Sequence, residues 1–115
     1  MHTDSNDITE REAAAGRRAM FPGSFNPFTI GHQSLVDRGL ELFDTVVIAA
    51  GISSTKQVSE DEIIARLDPI RALYAGNPRV EVTYYTGLTV DAARRHGCKF
   101  LLRGIRNTID MEYER

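Results

Sequence analysis

The stretch TVVIAAG, residues 45–51, is almost entirely apolar and is rich in β-branched residues. A strand that is apolar on both of its faces is typical of a parallel sheet with helices packed against both sides. Three other segments also have the character of strands. These are the apolar residues 19–21, the alternating VEVTYY (80–85) and the apolar KFLL (99–102).

The connections between these segments have helical patterns. In the first connection Val36, Leu40 and Phe43 fall on one helical face. In the second, Ser59 and Glu62 have the spacing of a capping box. Helices are therefore predicted over residues 31–43, from 59 to about 75, over 89–96 and from about 108.

Alternation of strands and helices predicts an α/β fold: a Rossmann-like, open and mostly parallel sheet with flanking helices and right-handed crossovers. Pro22 is expected to end the first strand. Pro69 lies inside the second predicted helix, so we expect a kink or a break near Asp68. Cys98 adjoins a predicted core strand and is expected to be buried.

The length of 115 residues indicates one domain. Residues 1–18 are polar and without a clear period, so we expect a mobile arm followed by a domain over 19–115. The chain ends in IDMEYER, which has the character of the first turns of a helix with no stop signal. We therefore expect that something is missing after Arg115.

The composition excludes several classes of protein. The net charge of -2 provides no basic field for nucleic acid, and no apolar run approaches the ~20 residues of a membrane span. The single cysteine excludes a disulfide framework and a cysteine-rich zinc site, and residues 1–18 lack a secretory leader. We therefore expect a soluble, cytoplasmic protein without nucleic-acid or membrane partners.

Polar clusters follow three of the predicted strands, at the edge of the sheet where ligands of such folds bind. They are the loop and helix start at residues 23–32, Lys56 and the segment 103–106. Gly23 and Ser24 allow the backbone to approach a phosphate, as does the helix start near His32. The loop is neither a Walker loop nor a G-x-G-x-x-G dinucleotide fingerprint.

Two motifs resemble those of a known enzyme family. Thr29-Ile30-Gly31-His32 resembles the T/H-x-G-H signature of nucleotidyltransferases. LLRGIRNTIDMEYE (101–114) resembles the R-G-x-R-x-x-x-D-[FM]-E-Y-E motif of the bacterial phosphopantetheine adenylyltransferases. The resemblance covers residues 19–115.

The resemblance implies the reaction ATP + 4'-phosphopantetheine ⇌ dephospho-coenzyme A + pyrophosphate, with Mg²⁺ and in a cytoplasmic homo-oligomer, a hexamer in the family. The nucleophile is an ionised phosphate oxygen, so catalysis reduces to positioning and charge stabilisation. The resemblance implies three groups of site residues, and it assigns no side chain as a metal ligand. They are His32, Lys56 and Arg103 as catalytic; Ser24, Phe25, His32, Gly104, Ile105, Arg106 and Glu114 at ATP; and Ser24, Lys56, Thr89 and Arg103 at phosphopantetheine.

The chain departs from the family pattern at three places. Ser24 replaces the usual threonine but keeps a hydroxyl, and Asn26 stands where aspartate is common, which removes a charge near the phosphates. The family continues past the E-Y-E motif to an ATP-contacting, serine-rich segment. The resemblance thus implies a chain that is truncated at its C-terminus.

Several of the assigned residues also have an ordinary structural interpretation. A histidine at a helix start can cap or pack, a threonine such as Thr89 can cap the helix that follows, and Glu114 can be a solvated helix residue. Lys56 can be a solvated loop lysine, and Arg103 with Arg106 a surface basic pair. Arginines directly after a buried strand favour phosphate binding instead.

Other functions remain open from the sequence. One is another enzyme of the superfamily, a cytidylyltransferase or the nicotinamide mononucleotide enzyme, against which the motif at 103–106 argues. A second is part of a class I aminoacyl-tRNA synthetase, because TIGH resembles H-I-G-H, although K-M-S-K-S is absent. A third is a nucleotide-binding module without catalysis.

Overall fold

The fold is an α/β sheet of the Rossmann-like type, as the alternating pattern predicts. The computed structural model describes residues 17–53, 58–103 and 109–110. The elements are β1 (Arg18–Gly23), α1 (Ile30–Leu42), β2 (Thr45–Gly51), α2 (Glu60–Leu73), β3 (Val80–Tyr85), α3 (Thr89–Arg95), β4 (Phe100–Leu102) and β5 (Ile109–Asp110).

The sheet has the strand order β3-β2-β1-β4-β5. Strands β1 to β4 are parallel to one another, and β5 pairs antiparallel with β4 through Leu101↔Asp110 and Leu102↔Ile109. The predicted helix from residue 108 is therefore wrong at residues 109–110. The edge of β4 that faces away from β1 offers peptide groups to a further strand, and Ile109 is a β-branched residue that suits a strand.

Strand β1 is longer than predicted at both ends. Pro22 lies within it and pairs with Ala49 of β2, whereas pairing with β4 ends at Met20. The prediction that the strand ends at Pro22 is thus wrong. The proline is tolerated because it lies near the end of the strand, past the part that pairs with β4.

Arg18 begins β1, so the predicted arm over residues 1–18 extends too far. Its guanidinium binds both carboxylate oxygens of Glu81, at 2.9 Å each, and donates from Nε to the carbonyl of His96 at 2.9 Å. Arg18 was not predicted to lie in the strand because it is charged and because its partners, Glu81 and His96, are distant in the sequence. Residues 1–16 lie outside the described residues.

The capping box of α2 is confirmed: Ser59 N–H donates to Glu62 Oε1, and Glu62 N–H to Ser59 Oγ, both at 3.1 Å. The helix continues through Pro69, so the break that was expected as the alternative to a kink does not occur. A proline costs an interior helix about 3 kcal/mol. Burial of Leu67 and Ile70 against the sheet offsets that cost.

The core has two layers, one on each face of the sheet. Val46, Ile48 and Ala50 of β2 belong to the cluster formed with α1 and α2. Val47 and Ala49 belong to the cluster on the side of α3, which includes the buried Cys98. Strand β2 is thus covered on both faces, as its sequence predicts.

None of the helices in the described part of the chain has the length and apolar character of a membrane span.

Arg79 joins the end of α1 to the start of β3. Its guanidinium donates from Nε to the carbonyl of Asp44 at 3.0 Å and from Nη2 to the carbonyls of Leu40 and Phe43. We expect Arg79→Ala to lower the free energy of unfolding by about 1–3 kcal/mol, because carbonyls at a helix end lose a charged donor.

Chemical denaturation followed by circular dichroism measures this loss. The control is Arg38→Ala, which removes an exposed arginine from α1. Equal unfolding midpoints for the two variants would contradict the role of Arg79.

Candidate active site

The carboxyl ends of the four parallel strands lie along one edge of the sheet. The register places Gly23 beside Ala50 and Gly51 beside Tyr85. The residues that follow these strands therefore lie along this edge, Ser24 after β1 and Arg103 after β4, both exposed. Thr89 begins α3, on the connection that follows β3. The other predicted site residues, Lys56, Gly104, Ile105, Arg106 and Glu114, lie outside the described residues.

The loop after β1 is organised around the buried ring of Phe25. This ring lies 5.0 Å from the ring of Phe21 and 5.4 Å from that of Phe28, centre to centre. The residue as a whole is only 3 % exposed, so Phe25 forms the buried centre of the loop. Gly23 is required beside it, since a Cβ at that position would lie 2.9 Å from the Phe25 ring.

The backbone of Phe25 has a φ of 50°, in the left-handed region. This conformation costs most residues about 1–2 kcal/mol, and glycine and, less often, asparagine or aspartate adopt it routinely. Such conformations persist where the surroundings enforce them, and they concentrate at functional sites. The packing of Phe25 against Phe21, Phe28 and His32 provides that enforcement.

His32 both caps α1 and packs against the loop. The backbone N–H of Thr29 donates to His32 Nδ1 at 2.8 Å, and the N–H of His32 donates to Thr29 Oγ1 at 3.3 Å. The rings of Phe25 and Phe28 lie 5.0 and 5.2 Å from the imidazole. The capping interpretation is therefore correct, and it determines the orientation of the ring.

The protonation of His32 follows from these contacts. Because Nδ1 accepts the Thr29 N–H, the proton of the neutral imidazole resides on Nε2. Burial lowers the pKa of His32 from its ordinary value of 6.5, which favours this neutral form. The imidazole thus presents an Nε2–H donor, not a base.

The electrostatics at this edge favour an anion. The first turn of α1, residues 30–33, contains no acidic residue, so the positive end of its dipole is uncompensated. Arg66 of α2 donates to the carbonyl of Ser24 at 3.5 Å, a long contact that brings a cation to the loop. Nothing in the sequence distinguished Arg66 from the other helix arginines.

Thr89 forms a hydroxyl pair with Tyr85, at 2.8 Å between their oxygens. The residue that caps α3 is Leu88, so the interpretation of Thr89 as the helix cap is wrong. Tyr85 was not among the site residues predicted from the sequence. Its position could have indicated a role in the site, because Tyr85 is the last residue of an alternating strand and so lies at the edge where ligands bind.

A cleft of about 280 Å³ separates this loop from α2. It is lined mainly by apolar side chains, with Asn26 and Arg66 at its polar part. Phe25 of the predicted ATP site lines it, whereas Ser24, His32 and Arg103 do not, so the cleft adjoins the phosphate-binding edge that the sequence predicts.

Comparison with known proteins gives a consistent result. The sequence model of the cytidylyltransferase-like family matches residues 20–115. The phosphopantetheine adenylyltransferase of Bacteroides fragilis is 48% identical over 98 residues, which is 85% of this chain and 65% of that protein. Those of Flavobacterium johnsoniae and Porphyromonas gingivalis are 41% and 46% identical over 99 residues each, covering 86% and 84% of this chain. The chain spans 64% and 63% of those two proteins, slightly less than two thirds of their length.

Proposed function

The chain belongs to the cytidylyltransferase-like family, and from this membership we propose that it transfers an adenylyl group from ATP to 4'-phosphopantetheine. The products are dephospho-coenzyme A and pyrophosphate. The relatives that support this choice of substrates are phosphopantetheine adenylyltransferases at 41–48% identity. The observation that carries the proposal is His32, a neutral donor held at the start of α1 beside a loop that favours anions.

The reaction needs no general base. An ionised phosphate oxygen of 4'-phosphopantetheine attacks the α-phosphorus of ATP, a new P–O bond forms, and the bond to the β-phosphate oxygen breaks. Negative charge develops on the α-phosphate oxygens and on the departing pyrophosphate. A fixed Nε2–H of His32 and the N-terminal N–H groups of α1 stabilise that charge by hydrogen bonding.

The other residues divide between the two substrates. Ser24 lies between them, and Phe25 lies beside ATP. Thr89 and Arg103 hold phosphopantetheine together with Lys56. Gly104, Ile105, Arg106 and Glu114 complete the ATP site in this proposal, on the resemblance of their motif.

We propose Mg²⁺ as the cofactor. It would bind together with ATP and neutralise part of the charge of the triphosphate. The loop 23–29 contains no carboxylate, and ranges 17–53 and 58–103 hold no group of three metal-binding side chains. Mg²⁺ usually keeps several of its water ligands and takes anionic ligands from the substrate phosphates. Uncharged oxygens of the loop, such as that of the Asn26 amide, are compatible with such an ion. A cytoplasmic homo-oligomer, hexameric as the resemblance implies, completes the proposal.

Pyrophosphate release by the purified 115-residue chain tests this function. The reactions contain Mg²⁺-ATP with and without 4'-phosphopantetheine, and CTP replaces ATP in a control because the family model is named for cytidylyltransferases. Release that requires both ATP and 4'-phosphopantetheine is expected. Release with CTP would assign a cytidylyltransferase, and ATP binding without release would assign a non-catalytic nucleotide-binding module.

Arg103→Ala is expected to raise the KM for 4'-phosphopantetheine by about tenfold or more and to change that for ATP much less. The reason is that a charge-assisted hydrogen bond to a phosphate contributes about 1.5–3 kcal/mol. Initial rates with each substrate varied in turn measure both constants.

The control for Arg103 is Lys99→Ala, because Lys99 is an exposed cation that precedes β4, at the other end of the same strand. It should leave both constants unchanged. A larger effect of Arg103→Ala on the KM for ATP would reverse the assignment of this residue.

A further inference from the structure

The Tyr85–Thr89 hydroxyl pair is held from several sides. Tyr85 is the last residue of β3, and its carbonyl accepts the N–H of Ile52 at 2.9 Å, which ties the ends of β2 and β3 together. The residue is 9% exposed and belongs to the core cluster on the side of α3. The tyrosine oxygen therefore has a defined place at the carboxyl edge of the sheet.

Gly51 makes room for that oxygen. A Cβ at position 51 would lie 3.2 Å from the Tyr85 hydroxyl oxygen, closer than most side chains tolerate. The hydroxyl thus reaches across the end of β2 to meet Thr89 Oγ1 at 2.8 Å. The pair lies where the connections that follow β2 and β3 begin, on the side of the sheet covered by α3.

A threonine hydroxyl without such a partner would rotate among its staggered positions. The bond to Tyr85 selects one of them. A hydroxyl has one donor and two acceptor positions, so each oxygen retains capacity for a further hydrogen bond. That remaining capacity suits a neutral group with both a donor and an acceptor, such as a secondary amide.

We infer that Tyr85 is a positioning residue for substrate recognition: its hydroxyl orients Thr89 Oγ1 toward an amide of the pantetheine arm. This inference rests on the proposed function. It assigns the α3 side of the site to the uncharged arm of the substrate, and the phosphate contacts to Arg103 and the α1 side. The affinity for ATP does not depend on this pair.

Titration calorimetry on the full 115-residue chain tests the inference, with 4'-phosphopantetheine and ATP measured separately. Tyr85→Phe is expected to weaken binding of 4'-phosphopantetheine by about tenfold, the loss of roughly one positioned hydrogen bond. ATP binding should stay within about twofold. Thr89→Val should show the same selective loss, and the double variant should lose little more than either single one, because the two hydroxyls act as one unit. Thr89→Ser, which keeps the hydroxyl, should retain most of the affinity.

Tyr84→Phe is the matched control, since Tyr84 precedes Tyr85 on β3 and its side chain is 44% exposed. It should bind both ligands like the wild type. If the Tyr85–Thr89 hydrogen bond only stabilised the contact between β3 and α3, Tyr85→Phe would instead lower the melting temperature and weaken the binding of both ligands. That result, or wild-type affinity in Tyr85→Phe, would overturn the inference and leave the proposed function standing. A wild-type chain that binds ATP but not 4'-phosphopantetheine would overturn the proposed function and the inference together.

Discussion

Replacing His32 by alanine is expected to lower the rate of adenylyl transfer by at least about 10²-fold and to leave the fold intact. Loss of one fixed donor to developing negative charge costs about 10²–10³ in rate. The imidazole is suited to that role because Thr29 N–H occupies Nδ1 and leaves the proton on Nε2. The helix loses part of one cap, which costs about 1 kcal/mol and does not unfold a domain.

Single-turnover rates and the circular dichroism spectrum of the variant measure the two effects separately. His96→Ala is the control, because His96 caps the C-terminal end of α3 and the proposal gives it no role. A rate in His32→Ala similar to the wild type would remove the central residue from the proposed mechanism.

The same histidine predicts the pH dependence of the rate. Burial lowers the pKa of His32 below 6.5, so the imidazole is neutral at pH 7 and becomes charged only under more acidic conditions. Protonation would place a second N–H on Nδ1, facing the N–H of Thr29. The rate should therefore be constant above pH 6.5 and fall with a midpoint below that value.

Stability has the same sign of pH dependence. The unfolded chain binds this proton more tightly than the folded one, so the contribution of His32 is complete above pH 6.5. It decreases as the pH falls from 6.5 through the lowered pKa. In His32→Ala, both the acidic limb of the rate profile and this part of the stability change should disappear.

Gly39→Val is expected to destabilise the domain by more than about 3 kcal/mol, a large part of the 5–15 kcal/mol that stabilises a typical domain. Gly39 is buried in α1, where the helix lies directly on the sheet. A Cβ there would lie 2.7 Å from Leu102 Cδ1 and 3.1 Å from Val46 Cγ2. Alanine adds only this Cβ, which meets both side chains, and it improves helix propensity, whereas valine adds two further methyl groups that the sheet cannot accommodate.

Guanidinium chloride unfolding of Gly39→Ala and Gly39→Val measures the series. Gly76→Ala is the control, because nothing lies within 4 Å of a Cβ built at that exposed turn. It should change the free energy of unfolding by less than about 1 kcal/mol. A midpoint for Gly39→Val equal to that of Gly76→Ala would mean that α1 does not pack against β4 and β2 as described.

Most of the fold follows from local patterns. The apolar stretch at residues 45–51 predicted a strand covered on both faces, and the Ser59–Glu62 pair predicted the start of α2. The errors occurred where a distant partner decides the conformation. Arg18 extends β1 because Glu81 and the His96 carbonyl bind its guanidinium, and Ile109–Asp110 forms a strand because β4 offers an edge.

The candidate site divides in the same way. The loop, His32 and Arg103 were predicted from residues adjacent in the sequence to strand ends. The partners of these residues were not, because Arg66 reaches the loop from α2 and Tyr85 reaches Thr89 across the end of β2. A side chain's partner across elements depends on how the helices and strands pack, which no spacing within one element records.

The sequence by itself determined the order of elements, the placement of the loop after the first strand and the presence of a histidine at the start of α1. These depend on hydrophobic periodicity and capping, which act over a few residues. The tertiary structure decided which rings pack against His32 and where Thr89 directs its hydroxyl. These depend on distances of 2.8–5.2 Å set by packing of the loop, α1 and the strand ends.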